Sequence, residues 1–142
     1  MTEALINFIR DRLADDQRAA QLMEKFYPSP WELSDRGWLA HVVADGPTCR
    51  EVIRLEQWQQ EPDSEEESWL GDIIDHVVRH DPARVLADIE SKRRILVLAE
   101  RLPKLTASTD LFDNSRDAWG EVLKQLAVVY ADHPGYREEW RP

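Results

Sequence analysis

The sequence predicts an α+β fold in a single domain, residues 1–142. A small antiparallel β-meander is expected to pack on about four helices, with a C-terminal tail docked across them. Three observations predict this. Four segments carry apolar residues at helical spacing. Between the first two lies a stretch of short alternating pieces broken by Gly and Asp. The last thirteen residues hold Tyr130, Tyr136 and Trp140 around a Pro134-Gly135 turn, where a frayed terminus is normally polar.

Residues 2–25 read as an amphipathic helix. Leu5, Ile6, Ile9, Leu13, Ala20 and Met23 fall on one face at ~100° per residue. Asp16 falls inside that apolar stripe, which calls for a partner. Pro28 and Pro30 stop the helix. Residues 31–55 contain turn signals at Ser34–Gly37 and Asp45-Gly46-Pro47, flanked by strand-like pieces. The third piece, Cys49–Leu55, has a helical alternative from Glu51 onward. Residues 59–67 carry four Glu and one Asp, which repel one another and favour a solvated excursion.

A second helix is expected over 68–80, with Trp69, Leu70, Ile73, Ile74, Val77 and Val78 as a broad apolar face. Asp81 suits an N-cap and Pro82 the first helical position. The third helix is expected from Pro82 to about Arg101, ahead of Pro103, with Val85, Ile89, Leu96 and Ala99 as its stripe and Leu86 on its flank. The last is expected over 117–131, with Trp119, Val122, Leu123, Leu126 and Val129 inward.

The formal net charge of −10 disfavours a general nucleic-acid role, because phosphates are repelled. No apolar run approaches the ~20 residues that span a bilayer. The N-terminus lacks the basic region and cleavage site of a signal peptide. A single cysteine, Cys49, excludes an internal disulfide and points to a reducing cytoplasm. Six Trp, at 31, 38, 58, 69, 119 and 140, argue that most regions bury something.

Several residue groups could carry chemistry. His76 and His80 are four apart, and Asp72 precedes them by one turn, so all three share a helix side. With His133 they would make a ligand set for zinc or another divalent metal. Val77 stands where a metalloprotease would carry its catalytic Glu. The plainer reading is packing and rim hydrogen bonds, with no cofactor.

Lys92-Arg93-Arg94 is the one basic run. It could hold a phosphate or an acidic partner, or pair within its helix as Asp88–Lys92 and Glu90–Arg94. Lys92 and Arg93 lie near the apolar stripe, so either is expected to meet Asp16 in a partly buried pair. Cys49 and His41 could form a nucleophile pair, or Cys49 is an inert buried thiol. In the tail, Tyr136, Arg137 and Trp140 could insert into a partner's groove or dock on their own helices.

The run His80-Asp-Pro-Ala-Arg-Val-Leu-Ala-Asp-Ile-Glu-Ser-Lys-Arg-Arg-Ile-Leu96 and the ending Tyr130-Ala-Asp-His-Pro-Gly-Tyr-Arg-Glu-Glu-Trp-Arg-Pro142 carry a family resemblance. So do Leu5–Asp16 and Pro30-Trp31. The chain resembles a small uncharacterised family of high-GC Gram-positive bacteria, their phages and mobile elements. That resemblance implies a bacterial or phage cytoplasmic protein and no particular reaction.

The expected function is therefore a non-enzymatic cytoplasmic accessory protein acting on a protein partner, with host-protein modulation or DNA mimicry as its phage-derived form. The alternatives are a metal-dependent hydrolase or nuclease built on Asp72, His76, His80 and His133, and a small-molecule binding module bordered by Trp31 or Trp38.

Overall fold

The computed structural model describes residues 2–35, 40–44, 51–55, 66–105 and 113–142. Trp38, Cys49, Trp58 and residues 59–65 lie outside the described residues, as do the side chains of His41 and Trp69. In chain order the elements are α1 (Thr2–Phe26), β1 (Trp31–Asp35), β2 (Ala40–Ala44), β3 (Glu51–Leu55), α2 (Glu66–Arg79), α3 (Pro82–Leu105) and α4 (Asp113–Ala127). Short 3-10 turns follow at Val128–Tyr130 and Glu138–Trp140. No helix among the described residues is long and apolar enough to cross a membrane.

Two compact units emerge. One comprises Met1–Gln17 with Asp88–Pro142, the other Arg18–Ala87. α1 and α3 each contribute residues to both.

In the first unit the buried apolar residues are Leu5, Ile6, Phe8, Ile9 and Leu13 of α1, Ile89, Leu96 and Ala99 of α3, Leu123 and Ala127 of α4, and Trp140. The i, i+3, i+4 recurrence along each helix concentrates these on one stripe.

In the second unit α2 packs on β1 and β2. Trp31 pairs with Ala44 in the antiparallel β1–β2 ladder, and both meet Ile74 of α2 in a buried cluster. Trp31 Nε1 donates to the Tyr27 carbonyl at 2.9 Å, so its polar end is satisfied where its ring is buried. β2 also pairs antiparallel with β3, with a register irregularity between Val42 and Val43.

The expected α+β class is corrected by these proportions. The helices run 25, 14, 24 and 15 residues and the strands five each. Trp31 and Ala44 of the strands are buried. The fold is mostly helical, and helices are not gathered on a meander. Alternation over 31–55 reports a local backbone preference, whereas fold class depends on which elements hold the core.

Two local chain stops behave differently. The start of α3 is capped twice. Asp81 Oδ1 accepts from the Arg84 N–H at 2.9 Å, and Ser29 Oγ accepts from the Ala83 N–H at 2.9 Å. Ser29 Oγ in turn donates to Glu24 Oε2 at 2.7 Å. Two of the orphan donors at this helix end thus find acceptors.

At the other end α3 runs to Leu105, past Pro103. A proline in the final turn removes one backbone hydrogen bond without having to interrupt a long ladder.

α4 begins and ends four residues earlier than expected, and its inward line also differs. Leu123 and Ala127 are fully buried, while Val122 and Val129 are exposed. Tyr130, seven residues after Leu123, continues the buried side, and Val129 falls off it.

Candidate functional site at the C-terminal aromatic cluster

Phe8, Arg12 and Asp16 stand at i, i+4 and i+8 along α1 and so form one ridge. The C-terminal segment closes over that ridge. The Phe8 ring meets four others: Tyr130 at 6.4 Å, His133 at 5.7 Å, Tyr136 at 6.0 Å and Trp140 at 5.0 Å between centroids. Three of these contacts are edge-to-face, the geometry favoured by the ring quadrupoles. Tyr136 and Trp140 also meet edge-on. Trp140 is only 2% exposed, so the tail is docked on its own chain. The Arg137 guanidinium lies over the Trp140 ring at 5.2 Å.

Polar contacts continue up the ridge. Arg12 bonds His133 through Nη1 and Nε2, pairs with Asp15 at 2.8 Å, and lies 5.9 Å from the Phe8 centroid. His133 Nδ1 accepts from the Gly135 N–H at 2.9 Å. A neutral imidazole has a single acceptor nitrogen, so the ring accepts from only one of these two donors at a time. A Cβ at Gly135 would stand 3.2 Å from that Nδ1 and 3.6 Å from Phe8. A side chain there would ask the His133 ring to give by a few tenths of an ångström.

Tyr130 OH donates to Asp16 Oδ2 at 2.5 Å. This is the partner that the in-stripe Asp16 requires. The expected pairing of Asp16 with Lys92 or Arg93 is corrected accordingly. Lys92 pairs with Asp88 at 2.6 Å, and Arg94 with Glu90 at 3.2 Å. Arg93 is half-buried.

The phenol of Tyr130 is held well above its ordinary range. Burial is the first cause, followed by the bond to Asp16 and the charges of Asp16 and Asp88, with Arg12 opposing. The folded protein therefore keeps a proton that the unfolded chain releases from about pH 10 upward. This contribution is fully present below that pH and is lost as pH rises further.

Tyr130→Phe removes it and costs about 1.5–3 kcal/mol at pH 8, the range for a hydrogen bond to a charged group. Urea midpoints at pH 8 and pH 11 check the sign. The gap between wild type and Tyr130→Phe narrows at pH 11. A gap of equal size at both pH values removes the buried-donor account.

Of the expected metal set, His133 has its ring engaged by Arg12 and Gly135, and Asp72, His76 and His80 belong to the other compact unit. Asp72 and His76 on α2 and His80 just past its end are exposed. The two imidazoles lie 4.2 Å apart, and His80 Nδ1 donates to the His76 carbonyl at 2.7 Å. Among the described residues no three His, Cys, Asp or Glu side chains form a metal-ligand group. Trp31, offered as a pocket border, is a core residue. The Cys49–His41 pairing lies outside the described residues.

Phe8 and Arg12 are the residues that sequence reasoning missed. The available signal was the Phe8-Arg12-Asp16 spacing. An aromatic, a cation and an anion one turn apart make a graded ridge suited to a segment with Trp, His and Tyr in matching order.

No match was found among curated proteins or solved structures. A family model described as a family of unknown function, DUF6221, matches residues 2–142. A match over nearly the whole length places the chain plainly: it belongs to the DUF6221 family.

Proposed function

We propose that the protein is a cytoplasmic accessory protein of bacterial or phage origin that acts by contact with a protein partner. The observation that carries this reading is the Val97–Leu98 doublet of α3, 41% and 51% exposed. The same helix buries Ile89, Leu96 and Ala99. Neighbouring positions on a helix point ~100° apart, so the doublet extends the apolar surface beyond what the core uses. A single exposed aliphatic residue is ordinary, but adjacent large ones mark interaction surfaces. The charge of −10 selects a partner whose rim is basic. The lone cysteine supports the compartment, and the motif resemblance at 80–96 and 130–142 supports the origin.

Photo-crosslinking in the host tests this. A photoreactive residue at position 98 is expected to give a discrete heavier adduct, and one at the exposed Arg94 position none. Val97→Glu with Leu98→Glu abolishes the contact. It leaves stability within about 1 kcal/mol, since surface changes are usually small. Equal labelling at 94 and 98 defeats the reading.

A further inference from the structure

We infer that His76 and His80 form a two-histidine chelate for a borderline divalent transition ion such as Cu2+, Ni2+ or Zn2+. The site spans the end of α2, with His76 in its last turn and His80 one residue beyond it, and is independent of the partner-contact reading.

The two histidines are four positions apart, which places their imidazoles one above the other on one side of the turn. Their centroids are 4.2 Å apart with a 33° tilt, and both residues are exposed. The rings are therefore neighbours that an ion from solvent can reach together.

The hydrogen bond at His80 supplies the stronger argument. A carbonyl oxygen only accepts, so the Nδ1 that lies 2.7 Å from the His76 carbonyl carries the proton. Its Nε2 then holds the lone pair. Donation from the second ring nitrogen to a backbone carbonyl is the outer-shell arrangement that orients metal-binding histidines and raises their basicity. His80 has this arrangement already built.

Charge favours the same place. The last carbonyls of a helix carry the negative end of its dipole, which attracts a cation. Asp72 stands one turn earlier on the same side. Asp75 is paired with Arg79 at 3.5 Å, which reduces the like-charge repulsion from that arginine. Imidazole donors suit Cu2+, Ni2+ and Zn2+ over Mg2+ or Ca2+. No third ligand from the described residues joins the pair, so water completes the coordination. The chelate links the last turn of α2 to His80, the residue immediately before Asp81, the cap of α3.

The test uses the full chain without a tag and the metal alone. Calorimetric titration with CuCl2, NiCl2 and ZnCl2 is expected to show one ion per chain, tightest for copper as the usual affinity order requires. His76→Ala and His80→Ala each weaken binding at least about tenfold, while His133→Ala leaves it unchanged. Side-chain NMR of the wild type gives a reading that needs no variant. Substoichiometric Cu2+ broadens the His76 and His80 imidazole signals before those of His41 and His133. No binding, binding retained in both alanine variants, or equal broadening of all four histidines overturns the inference.

Discussion

Trp140→Ala is expected to destabilise the unit formed by residues 1–17 and 88–142 by about 3–5 kcal/mol, the range for deleting a buried aromatic. Thermal melting falls on the order of 10 °C for a chain of this size. Trp140 is two residues from the end of the chain, where truncation is ordinarily tolerated. The effect arises because its ring is almost wholly buried and shares the Phe8 and Tyr136 rings.

Phe8→Ala should cost a similar amount, and the double variant less than the sum, because each change removes part of the same contact. Trp140→Phe separates packing from hydrogen bonding. The indole Nε1 is buried with no partner among the described residues, so losing it forfeits no bond. That variant should lose under half of what alanine loses. Additive losses for Phe8 and Trp140, measured by urea unfolding, refute the shared-contact account.

Ile74→Ala is expected to cost about 2–5 kcal/mol, and its neighbour Ile73→Ala about 0.5 kcal/mol or less. The two residues have the same chemistry and sit side by side on α2. Ile74 is 3% exposed and packs with Trp31 and Ala44, while Ile73 is 44% exposed. The loss at 74 combines transfer of the deleted methyls with the cavity left between helix and strands. Trp31 fluorescence follows the consequence, since the indole lines that cavity. Equal costs at the two positions mean that α2 presents a different face to Trp31.

The residues separate into those read locally and those that were not. α1 and α3 are legible because an apolar stripe repeats over several turns, and a helix records its own period. The Asp81-Pro82 start of α3 and the Asp88–Lys92 and Glu90–Arg94 pairs are legible for the same reason. Their partners lie three or four residues away, and helix geometry alone brings them together.

The α+β expectation failed because alternation within five-residue strands says nothing about which element owns the core. Ile73 and Ile74 could not be ranked, since both fit a broad apolar face and only the position of Trp31 distinguishes them. The candidate site was legible in its tail half, where Tyr136 and Trp140 demanded burial, and illegible in its α1 half.

By itself the sequence determined where the long helices run, how α3 begins, that the last residues must pack, and that Asp16 needs a partner. Only the tertiary structure decided that the partner is Tyr130, 114 residues away, that His133 meets Arg12, and that Phe8 anchors the tail. The physical reason is one of range. Helical period and capping are settled within one turn of chain. The choice among distant polar and aromatic partners is settled by which surfaces the packed helices bring into contact.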